Sequence, residues 1–191
     1  MNQNSNTPKT NGTNGANPNG VHGSVMDSAN DIAGPAFNVH SIYLKDLSFE
    51  APNSPEIFNK DWKPKIDFDL QMGSQVLSET EGLYEVVLHI TVTIKIGEGT
   101  EEKPAFLIDI QQAGAFTIQN LPEEVVKQVL ATTCSTVLFP YAREAISNLA
   151  TRGAFPQLVL PPINFDAMYA QHMTKQNETA TEGESTTTTT I

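Results

Sequence analysis

The chain has 191 residues, 39% of them hydrophobic, with 22 Asp and Glu against 11 Lys and Arg, four His and a single Cys. That acidic balance works against binding to nucleic acid or to an anionic membrane and favours basic partners. The lone Cys134 excludes an internal disulfide and any multi-cysteine metal site, which fits a reducing compartment.

The ends differ from the middle. Residues 1–36 are mostly Asn, Gly, Thr and Ser with scattered Pro, and residues 174–191 finish in TEGESTTTTTI. Neither end carries enough apolar surface to offset the entropy of ordering, so two disordered polar tails are expected around one domain over residues 37–173. Outside the tails 9 basic and 17 acidic residues remain, so the acidic excess belongs to the domain. The chain does not open on a basic segment followed by an apolar run, and no apolar stretch approaches the ~18 residues of a membrane span. A cytoplasmic protein without a signal peptide is expected.

Strand character begins at VHSIYLKDLSFE, Val39 to Glu50, which stops at APNSP because Pro52 and Pro55 cannot continue a ladder. Even separations predict that Leu44, Asp46, Ser48 and Glu50 share a face. KIDFDL then alternates, with Ile66, Phe68 and Leu70 opposite Asp67 and Asp69. YEVVLHITVTIKI, Tyr84 to Ile96, is the most β-prone run, and GEGTEEKP turns it into AFLIDIQQAGAFTI, Ala105 to Ile118. There Phe106, Ile108 and Ile110 face one way while Leu107, Asp109 and Gln111 face the other. Four strands without helical crossovers predict an antiparallel sheet.

Helical patterning follows. Pro122 suits a first turn, and Glu123 and Glu124 complement the helix dipole. Val125, Val126, Val129, Leu130, Val137 and Leu138 form an apolar stripe that Pro140 is expected to interrupt. A second helical piece runs to Gly153, a predicted C-cap. After FPQLVLPPI, Asn164 is predicted to cap a short terminal helix carrying Phe165, Met168, Tyr169 and His172. The fold class is therefore α+β, one four-stranded antiparallel sheet with helices packed on one face.

Catalytic patterns are missing. No G-x-x-x-x-G-K-[ST] phosphate loop occurs, and GEGTEE lacks the third glycine and following helix of a dinucleotide site. His22, His40, His89 and His172 are dispersed, and Cys134 sits in a helical stretch without an activating base, so no metal site or thiol nucleophile is expected. Asp67 with Asp69, or Asp46 with Glu50, could imitate a glycosidase pair. Such enzymes need two acids across a cleft in different environments, whereas Asp67 and Asp69 share one strand face. The reading is a binding protein without enzymatic activity or cofactor.

The strings IYLKDLSFEAPNSPEIFNKDW, YEVVLHITVT, AFLIDIQQAG and LFPYAREAISNLATRGAFPQLVLPPINFDAMY closely resemble the SecB family of protein-export chaperones, in collinear order from Val39 to His172. The resemblance implies an ATP-independent holdase that keeps precursors unfolded in the cytoplasm and passes them to the export ATPase SecA. It also implies a homotetramer, a dimer of dimers with two sheets outside and helices between. Ile108, where the family pattern often carries cysteine, and Ala113, where glycine is common, depart from it.

Three sets of residues follow from the resemblance. Asp46, Glu50, Leu107 and Asp109 are implied to dock the basic, zinc-containing tail of SecA, the zinc belonging to the partner; clustered carboxylates steer a cation and an exposed leucine adds desolvation. Phe58, Trp62, Ile66, Phe68, Leu70, Phe165, Met168 and Tyr169 are implied to line a client groove, because aromatic and Met side chains accept many sequences. Ile110, Gln112 and the segment from Val125 to Leu149, including Val129 and Cys134, are implied at the oligomer interface, with packing inside one chain as the competing reading. Two alternatives stay open: a family member that guards another client, such as an antitoxin, and an enzyme with an acidic dyad.

Overall fold

The computed structural model describes residues 34–184, with side chains described through residue 175. His22 and most of the expected polar tails lie outside the described residues. Four strands, β1 (Ala36–Glu50), β2 (Lys65–Ser78), β3 (Leu83–Ile96) and β4 (Lys103–Gln119), form one antiparallel sheet in the order β1-β4-β3-β2. β2 runs well past KIDFDL because Gln71, Gly73, Ser74 and Gln75 are polar or small and hide the period. An edge strand tolerates such residues, since only one side of it is paired.

The central pair builds the core. On β3, Val86, Leu88, Ile90, Val92, Ile94 and Ile96 are buried, and on β4 Phe106, Ile108, Ile110, Phe116 and Ile118 are buried on the same face. Alternation of this kind follows directly from the period of two along a strand. Across that face lies one long helix: α1 (Glu123–Val129) passes through a π turn (Leu130–Cys134) into α2 (Ser135–Arg152). Leu130, Cys134, Leu138, Ala142, Ile146 and Ala150 recur every fourth residue and are all buried. Gly114 permits the close approach, because a Cβ there would come within 2.8 Å of Leu138 Cδ2.

Pro140 does not divide the helix as expected. It sits inside α2 on the exposed side, and its neighbours Leu138, Phe139 and Ala142 are buried. Proline removes one ladder bond, but packing of the apolar stripe on the sheet outweighs that local loss. Burial also pushes the Cys134 thiol up to about 12, so this cysteine is protonated and unreactive at neutral pH.

Gly153 closes α2, its N–H donating to the Leu149 carbonyl at 2.9 Å, yet its φ of −75° is ordinary and the left-handed residue is Ala154 at 64°. What excludes a side chain at Gly153 is the ring of Phe49, which an added Cβ would strike. Gly153→Ala is therefore expected to cost about 1–3 kcal/mol by overpacking, read as a lower urea midpoint with an unchanged m-value. A neutral result would mean that Phe49 moves aside freely.

Asn164 caps α3 (Phe165–Glu184) as predicted, its Oδ1 accepting from the Ala167 N–H at 2.9 Å. The helix continues past residue 173, through a stretch of Thr, Lys, Gln and Ala in which good helix formers extend the backbone ladder.

A buried acid ties the far face of the sheet together. Glu85 on β3 accepts from Tyr43 Oη and Lys45 Nζ (2.7 Å) on β1 and from Gln75 Nε2 (2.5 Å) on β2. Tyr43 pairs with Ala113 and Glu85 with Ala115, so only small β4 side chains stand between the partners. The Lys45 bond, then those of Tyr43 and Gln75, hold the Glu85 carboxyl below the usual range against the opposing effect of burial. A depressed acid stabilises the fold above its unfolded value, about 4.3 for Glu, and that stability is lost as pH falls through the folded value. Acid titration of the urea midpoint should show this loss. Glu85→Gln should lower stability at pH 7 by about 1–3 kcal/mol and flatten the acid limb.

Candidate functional site

Because β1 and β2 occupy opposite edges, the chain between them must cross the end of the sheet. That crossing, residues 51–64, is pinned by Asn53 Nδ2 donating to the Pro104 carbonyl at 2.9 Å and by buried Ile57. It sets Phe58 and Trp62 against Phe155, at ring separations of 5.1 and 5.9 Å, and Phe155 in turn lies 4.7 Å from the core ring of Phe106. A cavity of about 390 Å³ opens there, walled by Ile57, Phe58, Trp62, Phe155 and Pro156.

A second and larger cavity, about 600 Å³, opens further along β2. Leu70, Met72 and Ser74 form one wall, Leu130 the floor, and Met168 and Tyr169 of α3 the other wall. α2 packs over β3 and β4 and reaches the same face of β2 at Met72, whose Sδ accepts from Ser135 Oγ at 3.3 Å, so the rest of that face stays largely uncovered. Ile66 and Phe68 on that bare stretch are 50% and 41% exposed, far more than their β3 partners Ile94 and Val92.

Seven of the eight predicted groove residues lie along this surface: Phe58, Trp62, Ile66, Phe68 and Met168 exposed, Leu70 and Tyr169 half-buried. Phe165 does not. It is 2% exposed and meets Phe139 edge-on at 5.8 Å, because the first residue of α3 turns inward as the helix docks. Met72 and Phe155 were not foreseen. Met72 follows Leu70 at even spacing and was recoverable from the strand period, whereas Phe155 sits in an irregular segment without any period.

The opposite face of the sheet carries the acids. Glu50 pairs with Leu107, Ser48 with Asp109 and Asp46 with Gln111, so Asp46, Glu50, Leu107 and Asp109 form one patch across β1 and β4. Leu44 is not part of it. A β-bulge between Leu44 and Asp46 inserts Lys45, Leu44 pairs with Gln112 on the helix-covered face, and the expected common face of Leu44 and Asp46 fails by that one residue. Asp109 accepts from His89 Nε2 at 2.9 Å and from Thr91 Oγ1 at 2.9 Å. Burial alone would raise its carboxyl, but these bonds and the charge of His89 together hold it below the usual range.

Of the residues expected at an oligomer contact, Ile110, Gln112 and Cys134 are buried within the single chain. Ile110 and Cys134 belong to the core, and Gln112 Nε2 donates to the Tyr43 carbonyl at 2.9 Å, so packing inside one chain accounts for all three. Val129 stays half-buried, and Val125 and Tyr141 are exposed on the helix. Asp67 and Asp69 lie on the open sheet face, engaged by Lys95 at 2.5 Å and Gln71 at 2.9 Å. Among the described residues no group of three or more His, Cys, Asp or Glu is placed to hold a metal ion.

The family model described as preprotein translocase subunit SecB matches residues 30–176. The chain belongs to the SecB family. It is 47% identical over 148 residues to the protein-export protein SecB of Methylococcus capsulatus, covering 78% of this chain and 92% of that one. It is 48% identical over 151 residues to that of Pseudomonas paraeruginosa, covering 79% and 90%. Among solved structures, the fold is similar to a SecB-like chaperone of Mycobacterium tuberculosis in complex with a ChAD peptide from an antitoxin. The TM-score is 0.56 at 20% identity, over 67% of this chain and 91% of that one. The SecB family is one of chaperones rather than known enzymes, and this chain is a chaperone of preprotein export. Its bare β2 face and its acidic patch lie on opposite faces of one sheet.

Proposed function

We propose that this SecB-family chaperone holds unfolded preprotein segments against the bare face of β2, between the aromatic pit at Trp62 and the Met-lined cavity at Met168. The observation that carries this reading is the apolar row Ile66, Phe68, Leu70 and Met72 on one face, of which Ile66, Phe68 and Met72 stay 39–50% exposed. Burial there removes apolar surface from water without demanding specific hydrogen bonds, and the open edge of β2 adds unpaired backbone groups for an extended client. A peptide bound by a chaperone of the same fold agrees with such a site.

The acidic patch supports a second role for the same chain, delivery to SecA. Asp46, Glu50 and Asp109 steer a cationic tail, and half-buried Leu107 supplies an apolar contact beside Glu50 at one end of the patch. A chaperone guarding a single other client needs the groove but not this patch, so its presence favours export. Action is ATP-independent and takes place in the cytoplasm as a homotetramer. Among the described residues no helix is long and apolar enough to cross a membrane.

Light scattering by an unfolded precursor, diluted into buffer without nucleotide, tests the reading. The full chain should suppress aggregation at stoichiometric amounts, and native mass measurement should find the precursor on a tetramer. Aggregation at the rate of the precursor alone would overturn it.

A further inference from the structure

A histidine stands beside the acidic patch. His89 Nε2 lies 2.9 Å from both carboxylate oxygens of Asp109, and Thr91 Oγ1 donates to Oδ2 at 2.9 Å. An ionised carboxylate only accepts hydrogen bonds, so His89 carries a proton on Nε2 in this contact. Both side chains remain partly open to solvent, 36% and 40% exposed. Asp109 is thus oriented by its own chain before any partner arrives, and the group orienting it is an imidazole.

The surroundings leave that contact dominant. From β2, Gln71 pairs with His89, and Asp69 beside it accepts from Gln71. From β4 come Asp109 and Gln111, and beyond them on β1 stand Asp46 and Glu50. The lysines of that face, Lys45, Lys65 and Lys95, are engaged by Glu85, Glu102 and Asp67. His89 is therefore the cation, when charged, that neutralises Asp109.

We propose that His89 is the positioning and pH-gating residue of the docking patch: uncharged, it holds Asp109 ready for a cationic partner, and protonated, it pairs with Asp109 and withdraws one negative charge from the patch. The inference rests on the docking reading above. The gate is modest, roughly threefold in affinity, the scale of a partly exposed ion pair.

A short peptide of alternating lysine and alanine, titrated against the full chain from about pH 5 to about pH 8, tests the gate across the range in which histidines change charge. His89→Gln keeps a donor but cannot become charged. It should match the wild type at the upper end and lose the roughly threefold weakening at the lower end. His89→Leu, without a donor, should bind more weakly than the wild type even at the upper end, and wild-type affinity for it there overturns the positioning role. Identical pH profiles for His89→Gln and wild type overturn the gate, while weakened binding by Asp46→Asn with Glu50→Gln leaves docking standing. Unchanged binding by that double variant removes the docking reading and the gate with it.

Discussion

Replacing Asp46 and Asp109 by lysine should weaken SecA binding roughly a hundredfold, or about 3 kcal/mol, while the native mass of the protein and client capture stay as they are. The two positions lie on adjacent strands, near Ser48 and Glu50, on the face away from the apolar row of β2. Each reversal removes an attraction and adds a repulsion, so two of them turn a cation-attracting patch into a repelling one. Most of the loss should lie in the association rate and should shrink at high salt, since exposed charges are screened beyond ~10 Å at 0.1 M. The fold should tolerate Asp46→Lys readily, because that carboxylate is exposed and bonds only the adjacent Leu47 N–H. Asp109→Lys also deprives His89 and Thr91 of their acceptor, so Asp109→Asn serves as the gentler companion. Unchanged SecA affinity for the double reversal would sink the docking claim.

Polar replacement of Trp62 and Phe68 should abolish most client holding. Both rings are about two-fifths exposed in the free chain, so neither owes its position to full burial. Serine at both sites removes two large apolar contacts from the bound state, each about 1.5 kcal/mol, which together lower client affinity by more than a hundredfold. The readout is aggregation of an unfolded precursor against chaperone concentration. The cost to the fold is smaller, mainly the loss of Trp62 packing on Phe155 at 5.9 Å. Phe165→Ala gives the opposite pattern. That ring is core, so the variant should lose about 3–5 kcal/mol of stability while the groove aromatics stay in place. Full holding by the Trp62→Ser, Phe68→Ser variant would place the client elsewhere.

The alternation of β3 and β4 was legible residue by residue, because a strand buried on one face forces a period of two. KIDFDL disclosed the apolar stripe of Ile66, Phe68 and Leu70 but not that Ile66 and Phe68 are exposed, since apolar residues facing a core and apolar residues left uncovered look alike in sequence. Pro140 misled for a related reason. Local rules weigh one lost hydrogen bond and one steric clash, whereas the folded chain weighs the whole stripe from Leu130 to Ala150 against the sheet. The bulge at Lys45 escaped because it leaves no compositional mark, yet it inverts which face Leu44 occupies.

By itself the amino-acid sequence determined the four strands, the antiparallel class, the capping of α3 by Asn164 and, through long collinear resemblance, the family. Those features are local or cumulative, and each residue votes without knowing its distant neighbours. Tertiary structure alone decided that α2 leaves Ile66 and Phe68 of β2 largely uncovered, that Phe165 is core while Phe155 joins the core to Phe58 and Trp62, and that Glu50, Leu107, Asp46 and Asp109 meet. It also decided that Asp109 is held by His89. These depend on register, strand order and the reach of one helix across the sheet, which are set by packing between residues far apart in the chain.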